Sequence, residues 1–118
     1  MNYDFPNDDD GDALRRLLTG GSDLSRLMYV NFQVAVPDEA AAKGLAEVAW
    51  KLGYRVEIYS SPECSLPWTC ECSTRTLASY EAIIEIQMEL RRISTPFGGF
   101  PDGWGSFGNA TDETHTTD

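Results

Sequence analysis

The thiols and the single histidine are the side chains of this sequence that could form a structural zinc centre. Cys64, Cys70, Cys72 and His115 make up a Cys3His donor set, one of the sets that bind structural zinc. The paired C-x2-C spacing typical of such sites is absent, and His115 falls in a polar tail. Because Cys70 and Cys72 share one face of a predicted strand, we expect them to pack as small apolar groups. The sequence therefore predicts free thiols, no metal site and no cofactor.

A run of acidic residues from Asp8 to Asp12 could bind calcium, because hard cations prefer carboxylate oxygens. An EF-hand loop counted from Asp8 would need glycine and then glutamate at the positions held by Ala13 and Thr19. The same acids suit the start of a helix, where Asp10 or Asp12 could accept hydrogen bonds from the first amides. We therefore interpret the run as a helix cap with solvated neighbours.

Catalysis would require a positioned nucleophile and a general base, and the sequence offers few candidates. The only histidine is His115 in the polar tail, which leaves a serine or cysteine triad without its base. No G-x-x-x-x-G-K-[ST] loop or dinucleotide fingerprint is present, and the glycine pairs that begin at 20 and 98 have no adjoining lysine. We therefore expect a protein without catalytic activity.

Three glutamates on the longest predicted helix suit a protein partner. Glu81, Glu85 and Glu89 recur every four residues, so they form one acidic column, at a cost of about 0.2–0.5 kcal/mol per like-charge pair. The column is either a solvated face, with Arg92 relieving its last member, or a docking strip for a basic partner. We take the docking strip as the functional hypothesis.

Trp104 lies in the segment DGWG, where Asp102 and Gly103 favour a turn and Gly105 allows a close backbone approach. The tryptophan either packs in the core or anchors a partner, since tryptophan is enriched among interface hot spots. We therefore add Asp102 and Trp104 to the three glutamates as predicted partner-binding residues.

The charge of the chain excludes some functions. Its 118 residues include 19 acids and 9 bases, a net charge of −10, which opposes unaided binding to a nucleic acid. No apolar run approaches the roughly 20 residues that cross a bilayer. Acids concentrate at the ends, so we expect an acidic arm over 1–9, one domain over 10–108 and a disordered polar tail over 109–118. The lack of a secretory signal and of a disulfide framework favours the cytoplasm.

Apolar periodicity predicts the elements that position these side chains. They are a helix over 10–19, a strand over 29–36, a helix from 38 to about 52, strands over 54–59 and 68–74, a helix over 76–93 and a short strand within 99–107. This order indicates an α+β, ferredoxin-like βαββαβ fold with an extra N-terminal helix, in which helices cover one face of a four-stranded antiparallel sheet. The open face is expected to carry Asn31, Gln33, Arg55, Glu57, Tyr59, Thr69, Glu71 and Ser73.

Three segments carry a family resemblance: DDDGDALRRLLTGGSDLSRL, PDEAAAKGLAEVAWKLGYRVEI and DGWGSF. In this order and spacing they resemble the regulator of ribonuclease activity B family, RraB, over residues 8 to 107. The most specific pieces are GSD at 21–23, LGY at 52–54 and DGWG at 102–105. The resemblance implies a ferredoxin-like fold without catalytic activity, in an inhibitor that binds the endoribonuclease RNase E and alters RNA decay.

The mechanism implied by the resemblance is competition, in which carboxylates of the regulator and RNA bind the same cations of the nuclease. This chain departs from the family's long acidic tail, because only Asp112, Glu113 and Asp118 are acidic after residue 108. A different partner therefore stays open. An immunity or antitoxin-like protein is one alternative, and a small ligand-binding module with a pocket between the sheet and Trp104 is another.

Overall fold

A computed structural model describes residues 5–61, 63 and 65–110. Within these ranges the elements are α1 (Asp9–Thr19), β1 (Leu27–Val36), α2 (Glu39–Lys51), β2 (Arg55–Ser60), β3 (Trp68–Leu77), α3 (Tyr80–Ser94), a 3-10 turn (Thr95–Phe97) and β4 (Phe100–Gly105). The strands form one antiparallel sheet in the spatial order β2-β3-β1-β4. The predicted α+β class and the four-stranded antiparallel sheet are confirmed.

β1 lies in the middle of the sheet, and its burial alternates as the sequence predicts. Its even-numbered residues from Met28 to Val36 are buried, whereas Asn31 and Gln33 are only partly covered on the opposite side. β3 pairs with β1 along its whole length, and β4 pairs with the other edge of β1. The register with β4 shifts at Gln33, so one residue of β4 is left in a bulge.

The boundary between β3 and α3 differs from the sequence prediction. The predicted helix begins at Thr76, but Thr76 and Leu77 belong to β3 and pair with the first two residues of β1. The helix begins at Tyr80, because the Ser79 hydroxyl accepts a hydrogen bond from the Ala82 amide at 3.1 Å. The cap therefore determines where the strand ends and the helix starts.

α1 is capped by Asp8, whose carboxylate accepts a hydrogen bond from the Gly11 amide at 2.8 Å. The sequence prediction of a cap at Asp10 or Asp12 is wrong, since both residues lie inside the helix. Gly11 is packed so tightly that an added Cβ would lie 2.0 Å from the Pro6 carbonyl oxygen. The chain before α1 is therefore folded against the helix.

The helices lie on the buried face of the sheet and form the core with it. Their fully or nearly fully buried apolar residues are Leu14 in α1, Ala42, Leu45 and Ala49 in α2, and Ile83, Leu90 and Ile93 in α3. Burying one large aliphatic side chain contributes about 1.5–3 kcal/mol. This layer therefore supplies much of the driving force for folding and leaves the other face of the sheet uncovered by any described element.

The N-terminal residues that the structure describes are part of the domain. The sequence predicts an acidic arm over 1–9, but the Arg15 guanidinium donates to the Phe5 and Pro6 carbonyl oxygens at 2.6 and 2.9 Å. Asp9 is already the first residue of α1. The folded unit therefore begins before the predicted boundary at residue 10.

The C-terminal boundary of the domain also lies beyond the predicted one. Asn109, which the sequence places in the disordered tail, is 2% exposed. Its side chain accepts from the Asp23 amide at 2.7 Å and donates to the Asp23 carbonyl at 2.8 Å, so both amide atoms have partners. Residues 111–118 of the predicted tail, His115 among them, and Cys64 lie outside the described residues.

Candidate functional site

Two of the three predicted docking glutamates are exposed and without an ion pair. Glu81 and Glu85 lie on the solvent side of α3, and neither has a cationic group within 4.0 Å among the described residues. By contrast, both glutamates of α2 pair with a lysine one turn later, at 3.4 and 3.1 Å. Of the two helices, α3 therefore carries the uncompensated negative charge.

Glu89, the third member of the column, is bound within the chain. Its carboxylate accepts a hydrogen bond from the Tyr54 hydroxyl, and the Arg92 guanidinium lies 4.0 Å away. Burial raises the pKa of Tyr54 well above its usual range, and the hydrogen bond to Glu89 and the charge of that carboxylate contribute in the same direction. The column thus consists of two exposed carboxylates and a third that connects α3 to the residues after α2.

Acids of the N-terminal run connect α1 to α3. The Tyr80 hydroxyl donates to Asp8 at 2.6 Å, and this bond together with the Gly11 amide lowers the pKa of Asp8. Two residues after Asp8, Asp10 accepts from the side chain of Gln87, which lies about two turns after Tyr80 on α3, at 3.1 Å. These bonds bring the negative charge of the first turn of α1 next to the start of α3.

Trp104 is half-buried on the helix side of β4. Its indole N–H donates to Asp10 at 2.7 Å, and its ring centroid lies 6.3 Å from that of Phe32. These contacts favour the packing interpretation of Trp104 over the anchor interpretation. Asp102 is exposed, in the part of β4 where the pairing register shifts. The structure therefore links Trp104 to α3 through Asp10 and leaves Asp102 as a free charge on an edge strand.

Two large apolar side chains of the helical layer are exposed and are not among the predicted site residues. Trp50 on α2 is 67% exposed, and Met88 on α3 is 65% exposed. The sequence does contain a signal for the exposure of Trp50. This residue follows Ala49, the last buried residue in the apolar stripe of α2. Exposed aromatic and methionine side chains are typical of protein interfaces. The solvent side of α2 and α3 thus combines negative charge with apolar side chains.

The opposite face of the sheet holds a groove of about 680 Å³. Six of the eight residues predicted for the polar face line it, which confirms the predicted alternation: Asn31, Gln33, Arg55, Glu57, Glu71 and Ser73. The ligand-binding alternative predicts a pocket next to Trp104, but Trp104 lies on the other side of the sheet and does not line this groove.

Internal contacts order part of the groove. The Ser73 hydroxyl donates to Asn31 at 2.7 Å, and the Arg55 guanidinium lies over the Tyr29 ring, 5.2 Å from its centroid. Burial and the charges of two neighbouring glutamates raise the pKa of Tyr59. The groove therefore has fixed polar side chains on its floor and aromatic side chains beside them.

The cysteines that the structure describes are buried, as predicted. Cys70 and Cys72 have free thiols on the helix side of β3, with 3.9 Å between the sulfur atoms. The contact with Cys70, together with burial, raises the pKa of the Cys72 thiol. In the described part of the chain, no three metal-binding side chains form a cluster. A search of the same residues finds no helix long and apolar enough to span a membrane.

Fold and surface together define a class of protein: a small α+β domain with an acidic helical layer and an uncovered sheet face. A comparison with protein-family models identifies the family. Residues 7–106 match the model of the family described as Regulator of ribonuclease activity B, RraB. The match covers most of the chain, so this chain belongs to the RraB family. A search of curated proteins found no match.

Proposed function

We propose that the protein is a non-catalytic regulator that binds an RNase E-type endoribonuclease in the cytoplasm, inhibits it and so modulates RNA decay. Membership of a family of ribonuclease regulators supports the regulatory role. The observation that carries the docking surface is the pair of exposed, unpaired carboxylates on α3, Glu81 and Glu85. The partner that fits this surface is a basic protein segment, since complementary potentials steer and orient association.

Charge alone does not account for a stable complex. An exposed ion pair contributes about 0.2–1 kcal/mol, so two carboxylates give orientation more than affinity. Apolar contact must supply the remainder, and Trp50 and Met88 offer it on the solvent side of the same helices. We therefore include both residues in the docking surface, with Asp102 as a charge at its rim.

Glu89 and Trp104 have a supporting role in this surface. The Glu89 carboxylate accepts a hydrogen bond from Tyr54 and so fixes α3 to the residues after α2. The Trp104 indole donates to Asp10 and so fixes α1 to β4. Both contacts fix the helices that carry the exposed groups, so their loss would lower affinity through helix position. This assigns all five predicted partner-binding residues either to the surface or to its support.

Inhibition follows from competition for cations. An arginine-rich nuclease arm holds RNA mainly through its phosphates, because Lys and Arg displace the counterions of the RNA. Carboxylates accept the same guanidinium groups in bidentate geometry. A regulator bound through α3 therefore lowers the affinity of the arm for RNA without making or breaking a covalent bond.

Calorimetric titration with the arginine-rich arm of the host RNase E tests this docking surface. We expect binding that weakens as salt rises, and a loss of about tenfold or more in the double variant Glu81→Arg, Glu85→Arg. The matched control is the double variant Glu57→Arg, Glu71→Arg on the opposite face of the sheet, which changes the net charge equally but lies outside the proposed surface. Trp50→Ala and Met88→Ala should each weaken binding at all salt concentrations.

The outcomes of the titration separate the partner from the surface. No binding at low ionic strength would exclude this nuclease as the partner. Binding that is equally strong in the Glu81→Arg, Glu85→Arg variant would exclude the α3 surface. Binding that the Glu57→Arg, Glu71→Arg control weakens as much as the Glu81→Arg, Glu85→Arg variant does would show a response to net charge only.

A further inference from the structure

The uncovered face of the sheet carries its charges in two bands of opposite sign. Glu57 and Glu71 are directly opposed on β2 and β3, and like charges in that position destabilise a strand pair. Neither has a cationic partner within 4.0 Å among the described residues. Arg55, the next residue of β2 on this face, instead lies over the ring of Tyr29. The acids are therefore left for a cation from another molecule.

The positive band follows further along the strands, with Arg55 two residues from Glu57 and Arg75 four residues from Glu71. Arg55 lies opposite Ser73, and Arg75 lies opposite Tyr29, so both arginines are on the same side of the glutamate pair. Two glutamates and two arginines make the face neutral, although the chain carries −10 overall. A surface with separated bands of equal and opposite charge is complementary to a copy of itself that is turned by 180°.

We propose that this face is the interface of a symmetric homodimer, with a two-fold axis that crosses the strands at the level of Val56 and Phe32. These residues belong to one row of the sheet, because both are paired with Cys72. The axis lies between the two charged bands. Glu57 of each copy therefore meets Arg55 of the other, as an isologous interface requires, whereas Glu71 faces Ser73 and Arg75 faces Thr69.

The facing residues in this arrangement are complementary in charge and in size. Glu57 faces Arg55 of the second copy, and symmetry gives this pair twice. Along β1, Ala35 lies at the level of Tyr29 of the second copy, so that exposed aromatic ring meets a small side chain that is 6% exposed in its own chain. Gly103 and Gly105 on β4 have no atoms within 4 Å of an added Cβ, so the backbone there is open to the second copy.

The size of the face determines how strong the dimer is. Four strands about 4.8 Å apart, over segments of roughly 25 Å, give roughly 500 Å² per copy. A total near 1,000 Å² is at the lower end for specific interfaces, so we expect a dimer that dissociates on dilution. Phe107, which is 96% exposed beside the groove, adds apolar area at the edge.

Sedimentation velocity of the purified full chain tests the dimer without any nuclease. Between about 5 μM and 1 mM, mass action should shift the protein from the 13.1 kDa monomer to a species of twice that mass. Glu57→Arg and Arg55→Glu each place like charges in both facing pairs. Each variant should therefore stay monomeric over this range, a weakening of about tenfold or more.

A charge exchange makes the test specific. An equimolar mixture of Glu57→Arg and Arg55→Glu chains should form a heterodimer, because each facing pair again has opposite charges. The double variant Arg55→Glu, Glu57→Arg should form a homodimer for the same reason. Glu47→Arg on the helical layer is the control and should dimerise like the wild type. Both sheet positions are exposed, and circular dichroism verifies that the variants are folded.

Three results would overturn the proposal. These are a monomer at all concentrations, a dimer that persists in both single variants, and a failure of the mixed variants to associate where the wild type does. A monomer whose sheet-face amide resonances shift when an arginine-containing peptide is added would assign the face to a different protein instead. None of these results bears on the α3 surface, so the proposed nuclease docking is tested separately.

Discussion

Trp104 and Asp10 are joined by a hydrogen bond although 94 positions separate them in the sequence. The indole N–H donates to Asp10 Oδ1 at 2.7 Å, and the same oxygen accepts from Gln87 at 3.1 Å. One carboxylate oxygen therefore connects the first helix, the last strand and α3. This explains how acids in a run that resembles a solvated arm belong to the folded domain.

Removing this carboxylate should destabilise the fold. Asp10→Ala leaves two donors without their acceptor, and we expect the free energy of unfolding to fall by about 1–3 kcal/mol. The matched control is Asp9→Ala, which removes the same charge from the same helical turn; the Asp9 side chain makes no hydrogen bond or ion pair with the residues that the structure describes. Urea denaturation at pH 7 measures both. Equal losses in the two variants would show that charge near the helix end, and not the bond to Trp104, is responsible.

Asn109 should be important for stability despite its place near the end of the chain. Asn109→Ala removes the partner of the Asp23 amide and carbonyl, so the free energy of unfolding should fall by about 1–3 kcal/mol. Phe107→Ala, two residues earlier and almost fully exposed, should change it by less than about 0.5 kcal/mol. Thermal or urea unfolding of both variants provides the comparison. A neutral Asn109→Ala variant would contradict the C-terminal boundary described above.

The Tyr54–Glu89 contact gives a pH dependence with a defined sign. The pKa of Tyr54 is raised in the folded state, from an ordinary value of 10.0. Above pH 10 the unfolded chain therefore loses this proton first, and the stabilisation present at lower pH is lost as pH rises. Tyr54→Phe should lose less stability than the wild type between about pH 9 and 11. If the free energy of unfolding changed with pH in parallel for the two proteins, the raised pKa of Tyr54 in the folded state would be contradicted.

The buried thiols should resist alkylation. Cys70 and Cys72 are both fully buried, so the reagent has no access to either sulfur. The contact between them raises the pKa of Cys72 and lowers the pKa of Cys70, so burial alone must protect Cys70. In the native protein, at least two of the three cysteines should remain unmodified by iodoacetamide at pH 8. All three should react in denaturant. Mass spectrometry counts the adducts, and rapid native labelling of Cys70 or Cys72 would contradict their burial.

The sequence predicts the elements better than their ends. Alternation along β1 and the helical period of α3 depend on which residues are buried, and that pattern is visible in the chain itself. The prediction that Thr76 and Leu77 belong to the helix is wrong, because their assignment depends on pairing with β1 and on the Ser79 cap. Long-range pairing of this kind has no local signature.

The candidate site shows the same difference between local patterns, which the sequence predicts, and long-range contacts, which it does not. The helical spacing of Glu81 and Glu85 predicts one exposed column, and α3 presents both to solvent. Which tryptophan is buried depends on distant partners: Trp104 contacts Asp10 and is half-buried, whereas Trp50 is 67% exposed. In the sequence, a tryptophan in a glycine-rich turn is compatible both with packing in the core and with anchoring a partner. The contacts in the folded structure favour packing for Trp104.

RNA cleavage by the host RNase E, with its arginine-rich arm present, tests the regulatory role most directly. A fluorescent RNA substrate is cleaved while the protein is added in increasing amounts, alongside the Glu81→Arg, Glu85→Arg variant and the Glu57→Arg, Glu71→Arg control. We predict that the cleavage rate falls to a plateau with wild type and control, and that the double variant needs about tenfold more protein. A cleavage rate that stays unchanged at saturating wild-type protein would contradict regulation of this nuclease by docking.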